Sequence, residues 1–113
     1  MLRPESIACI KLMAKQFGAE KVLLFGSCLE VPEEEANDID LVVYGLDPVA
    51  HWKMTAEMAW PDELNGKRVD LIRAEDNLPI MVFASEGVPI YERELTVKTP
   101  PSSLANYITK QPL

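Results

Sequence analysis

A chain of 113 residues, 48% hydrophobic and 26% charged, has the make-up of one folded domain, which excludes a disordered polymer and leaves no room for two independent cores. Its 18 acidic against 11 basic side chains give a formal net charge of -7, so no general basic surface is available to track a nucleic acid backbone. Cys9 and Cys28 lack the spacing of a zinc site or a disulfide framework, and no stretch approaches the roughly 20 apolar residues that span a bilayer. Reduced thiols and the absence of a signal-like run, which Lys11 and Lys15 interrupt, lead to the expectation of a cytoplasmic protein.

Ile7, Ile10, Ala14 and Phe17 recur at helical spacing, with Pro4 suited to a first turn and Gly18 to a stop, so a helix is predicted over 3–17. The apolar run Lys21 to Phe25, closed by Gly26-Ser27, predicts a buried strand ending in a tight turn that starts a helix. Cys28 to Asn37 reads as a short helix followed by a solvated loop, because Glu33, Glu34 and Glu35 repel one another and carry no apolar spacing.

Asp38 to Tyr44 is rich in strand formers and predicts a second strand. Ala50 to Trp60 predicts a helix ended by Pro61, with Trp52, Met54, Met58 and Trp60 as its core stripe or, alternatively, an interface with a partner, and His51 as a cap or a solvent-facing residue. Lys67 to Ile72 predicts a third strand after Asn65-Gly66. A helix over 78–86 with Asp76 or Asn77 as its cap, a strand over 88–91, a linker at 99–103 and a short tail complete the reading, which gives a domain at 1–98 and a linker and tail at 99–113.

The chemistry lies in Gly26-Ser27, ten further residues, then Asp38-Ile39-Asp40, with Asp70 on the following strand. Side chains alternate along a strand, so Asp38 and Asp40 leave one face with Cα atoms about 7 Å apart, while Ile39 and Leu41 point to the core. In Arg68-Val69-Asp70-Leu71-Ile72 the same parity sends Asp70 away from the core, and a neighbouring strand would complete a carboxylate triad. Three such groups repel unless divalent cations, Mg2+ or Mn2+, sit among them. Gly26 permits close backbone approach to a phosphate, and Ser27 offers a hydroxyl and amides for a triphosphate.

This order of Gly-Ser, spacer, Asp-x-Asp and later strand Asp resembles the nucleotidyltransferase superfamily of polymerase-β type, and its size resembles the minimal members. The resemblance covers Lys21 to Asp70, and the segment Glu86 to Glu92 resembles the family's last strand. It implies an α/β fold with a small mixed sheet and helices mainly on one face. It also implies Asp38, Asp40 and Asp70 as metal-holding and catalytic residues, Gly26 and Ser27 as the nucleotide-phosphate site, and transfer of a nucleoside monophosphate from an NTP, ATP foremost, to a hydroxyl. The acceptor hydroxyl belongs to a protein, an RNA end or a small molecule, so nucleic acid enters only as an acceptor. Family members of this size pair with a helical HEPN-type protein as antitoxin and toxin, which implies such a partner and admits a second reading as a binding module with little catalysis; a homodimer is compatible with either. The sequence departs from the family where Cys28-Leu29-Glu30 replaces the small and basic residues that often follow Gly-Ser. Lys21, Lys67, Arg68 and Arg73 are the nearest basic residues, and none has a role assigned by sequence.

Overall fold

The computed structural model describes residues 1–76 and 86–93. Helix α1 spans Pro4–Phe17, and Gly18 ends it with a left-handed backbone whose amide reaches the carbonyls of Ala14 and Lys15. Ile10, Met13 and Ala14 form its buried stripe. Strands β1 (Lys21–Phe25), β2 (Asp38–Tyr44), β3 (Arg68–Arg73) and β4 (Val88–Glu92) make one sheet in the order β3-β2-β1-β4.

The sheet is mixed: β1 runs antiparallel to β2 and β4, and β2 runs parallel to β3. A parallel pair needs a crossover, and helix α2 (Pro48–Glu57) supplies it. Both helices pack against the same face, where Val22, Leu24, Ile39, Leu41, Val43 and Leu71 meet Ile10, Met13, Met54 and Met58 in the main core. A smaller apolar cluster on the other face joins Leu23 and Val42 to Phe25, Tyr44 and Ile72. Among the described residues no helix is long and apolar enough to cross a membrane.

Helix α2 begins two residues earlier than expected because Asp47 caps it, accepting a 2.8 Å hydrogen bond from the Ala50 amide, with Pro48 in the first turn. It ends at Glu57 and the chain continues in single turns to Trp60. The expected core stripe divides: Met54 and Met58 are buried, but Trp52 and Trp60 are 70% and 81% exposed. At 100° per residue positions 54 and 58 lie about 40° apart on the sheet side, while 52 and 60 lie on the opposite side. His51 neither caps α2 nor faces water alone; its Nε2 donates to the Leu71 carbonyl of β3 at 2.6 Å.

The connection from β1 to β2 also differs from expectation. Two 3-10 turns, Gly26–Leu29 and Glu33–Glu35, replace the short helix and solvated loop. Glu33 is only 1% exposed. Its carboxylate accepts from the Arg3 amide at 3.0 Å and from Arg3 Nε at 3.1 Å, and Arg3 also reaches Ser6 and the Glu63 carbonyl. Burial pushes the Glu33 carboxyl up, but the Arg3 amide, the Ser6 hydroxyl and the Arg3 guanidinium outweigh that and hold it below the usual range. Glu34 and Glu35 are exposed as expected. The helix expected over 78–86, the linker, the tail and the boundary at residue 98 fall largely or wholly outside the described residues.

Candidate active site

The site begins with strand parity. Ile39 and Leu41 are fully buried on the helix side, so Asp38 and Asp40 emerge from the opposite face. Parallel pairing of β2 with β3 sets Asp40 directly beside Asp70 and Asp38 beside Arg68, while antiparallel pairing with β1 sets Phe25 on the other flank of Asp40. One carboxylate therefore stands at the centre of three strands.

Gly26 follows Phe25 and turns the chain with φ 80, a region that side chains disfavour. A Cβ at this position would collide with Oδ2 of Asp40, so any other residue would push the carboxylate aside as well as strain the bend. A cavity of about 510 Å3 opens here, walled by Phe25, Gly26, Asp40, Val42, Asp70 and Ile72. Asp38 and Ser27 are not among its lining residues, although Asp38 lies two residues before Asp40 on the same face and Ser27 is exposed next to Gly26. Ser27 belongs to a single 3-10 turn, so its amides bring little of the aligned dipole that an α-helix N-terminus would supply.

The carboxylates sense one another. Burial pushes the Asp40 carboxyl above its usual range, Asp70 and Asp38 push it further, and Arg68 acts in the opposite direction. Arg68 reaches Asp70 directly, NH2 to Oδ1 at 3.1 Å. Among the described residues no three His, Cys, Asp or Glu side chains are gathered tightly enough to hold a metal ion, and Asp70 is engaged by Arg68. The chemistry of the donors nevertheless suits a hard divalent cation: they are carboxylate oxygens, and the repulsion of Asp40 by Asp70 and Asp38 favours a positive charge beside it.

Sequence reasoning left Arg68 without a role, and the structure makes it the basic residue in contact with the triad. The other three point elsewhere: Lys21 sits near Glu92, Lys67 donates to the Ala36 carbonyl, and Arg73 engages Leu46 and Asp76. The parity of 68 and 70 was the available signal. Cys28, where the family pattern differs, is buried, and its thiol donates to the Asp38 carbonyl at 3.5 Å, tying the turn to the start of β2.

A mixed sheet that raises paired aspartates and a third aspartate from the adjacent parallel strand beside a glycine bend has the layout of a nucleotidyltransferase. Residues 8–95 match the Polymerase beta nucleotidyltransferase family, and the chain belongs to that family. Solved structures similar in fold include the MntA–HepT toxin–antitoxin (TM-score 0.58, 18% identity, 80% of this chain and 74% of that one). A tri-AMPylated Shewanella oneidensis HEPN toxin in complex with its MNT antitoxin is also similar (TM-score 0.56, 20% identity, 78% and 71% covered), as is a toxin–antitoxin with AMP-PNP (TM-score 0.56, 19% identity, 81% and 76% covered). No curated protein sequence matches the chain.

Proposed function

We propose that this chain transfers a nucleoside monophosphate from ATP to a hydroxyl, foremost a tyrosine hydroxyl, on a helical HEPN-type protein partner. The observation that carries the reading is the register of Asp40 beside Asp70 with Gly26 against the Asp40 carboxylate. Asp38, Asp40 and Asp70 would hold Mg2+ or Mn2+, which when bound neutralises the developing charge on the phosphates. The Gly26-Ser27 bend holds the triphosphate through backbone amides, since glycine leaves no Cβ to keep a phosphate away. Asp70 accepts the proton of the acceptor hydroxyl. That oxygen bonds to the α-phosphorus, the bond from the α-phosphorus to the bridging oxygen breaks, and pyrophosphate leaves.

The acceptor class is supported by the cavity walls. Phe25, Val42 and Ile72 give the carboxylates an apolar surround that suits an aromatic ring, and a chain of net charge -7 repels an RNA end. The similar folds found with AMP-PNP and beside an AMPylated HEPN toxin agree with ATP and a protein acceptor. The test is Mg2+-dependent transfer from α-labelled ATP to the co-purified partner, wild type against Asp38→Asn with Asp40→Asn. Labelling confined to wild type is expected, and equal labelling by both would overturn the assignment.

A further inference from the structure

Helix α2 turns a second apolar surface away from the sheet. Val49, Trp52 and Ala56 fall within about 60° of one another around the helix axis, on the side opposite the buried Met54, and the exposed Trp60 follows just past the helix end. Val49 is 61% exposed and the two tryptophans more so. Trp60 continues the stripe into a groove of about 410 Å3 against α1, floored by Cys9, Leu12 and Met13. Two carboxylates, Glu57 and Glu63, line this groove, and among the described residues no basic side chain does. Lys53 lies about 40° beyond the edge of the stripe around the helix axis.

Two exposed tryptophans on one helix face exceed what a solvated surface needs, and large aromatics are the usual anchors of protein interfaces. The charge decides the occupant. In a two-fold pairing of identical chains the patch would meet itself, and a groove lined by Glu57 and Glu63 with no basic side chain does not complement its own charge. An anionic lipid surface would meet the same carboxylates.

We infer that this surface docks a helix of the protein partner, one that presents an apolar side chain to the groove and Lys or Arg side chains to Glu57, Glu63 and the tryptophan rings. The inference rests on the partner reading above. Cations stacked on Trp52 or Trp60 gain from the ring as well as from the carboxylates. A partner subunit seated there is separated from the Asp40 face by the helix layer and the sheet, so the acceptor hydroxyl would come from another copy of the partner, and docking and transfer respond to different substitutions.

The test uses the full chain co-expressed with a HEPN-type protein of the same genome. Trp52→Glu, Trp60→Glu and the charge reversal Glu57→Lys with Glu63→Lys should each weaken the complex by at least about 30-fold in titration, with melting temperature unchanged because these side chains are exposed. The Asp38→Asn with Asp40→Asn protein should bind as wild type. If the tryptophan variants bind as tightly as wild type, the docking surface is elsewhere while the partner reading stands. If wild type itself forms no complex, that reading fails and this one with it. A wild-type dimer that Trp60→Glu dissociates would assign the surface to a second copy of the chain and overturn the proposal.

Discussion

Asp40 and Asp70 occupy directly paired positions on parallel strands, and Arg68 holds Asp70 by a 3.1 Å contact. Ionising Asp40 is therefore costly when no cation is bound. Its carboxyl is raised in the folded protein, so the stability it contributes is present below the unfolded aspartate value near pH 3.9 and is lost as pH rises through the raised folded value.

Asp40→Asn removes that penalty. The metal-free variant should melt above the wild type at neutral pH, and Mg2+ should raise the wild-type melting temperature but not the variant's. Transfer should fall by roughly 100-fold or more, given the several kcal/mol that a metal supplies to such chemistry. Thermal melts with and without Mg2+ check the first part, and a variant less stable than wild type without metal would refute it.

Replacing Arg68 separates its electrostatic role from its structural one. The pair with Asp70 is largely exposed, so Arg68→Ala should change stability by less than about 1 kcal/mol. Removing the guanidinium takes away the influence that lowers the Asp40 carboxyl. The acid limb of the transfer rate should accordingly move to higher pH, and an unchanged pH profile would show that Arg68 does not act on the triad.

Gly26→Ala tests the bend. Left-handed backbone costs a residue with a side chain roughly 1–2 kcal/mol, and here the added methyl also meets the Asp40 carboxylate. Loss of nucleotide binding larger than the loss of stability is expected, read by calorimetric titration of a non-hydrolysable ATP analogue beside a denaturant melt. Gly18→Ala is the control, since it has the same backbone sign and open space around it.

Glu33 should govern acid unfolding. Its carboxyl is lowered in the fold, so the stability it contributes is complete above the unfolded glutamate value near pH 4.3 and disappears as pH falls through the lower folded value. Glu33→Gln should lower the melting temperature at pH 7 and flatten its decline below pH 4.3. A variant whose acid limb parallels the wild type would remove Glu33 from that role.

Loss of the His51 contact should loosen α2 from the edge of β3. His51→Ala is expected to cost about 1 kcal/mol, the typical worth of such a hydrogen bond, and to speed amide exchange at Leu71 and Ile72 before the rest of the sheet.

What the chain discloses by itself follows from range. Strands 21–25 and 38–44 were legible as apolar runs between turn residues, the third was legible at 67–72 against the 68–73 of the structure, and the shared face of Asp38, Asp40 and Asp70 followed from period-2 parity. The adjacency of β2 and β3 needed the crossover and so became a finding of the structure. Glu33 looked solvated because its partner, Arg3, lies thirty residues away and local charge repulsion was the visible signal. The tryptophans were placed inside because hydrophobicity alone does not say which side of a short helix the core occupies. Asp47-Pro48 carries the cap and first-turn signal for α2, and the apolar spacing alone starts later, at Ala50. Ser27 was assigned a helix N-terminus, but only a 3-10 turn follows β1.

The sheet sets its aspartates on one surface and its two helices on the other, with fully buried side chains such as Leu41 and Val43 between. Substitutions on the outer side of α2 can therefore accumulate without disturbing the geometry around Asp40. Such a molecule can change its associates across lineages while its reaction stays the same.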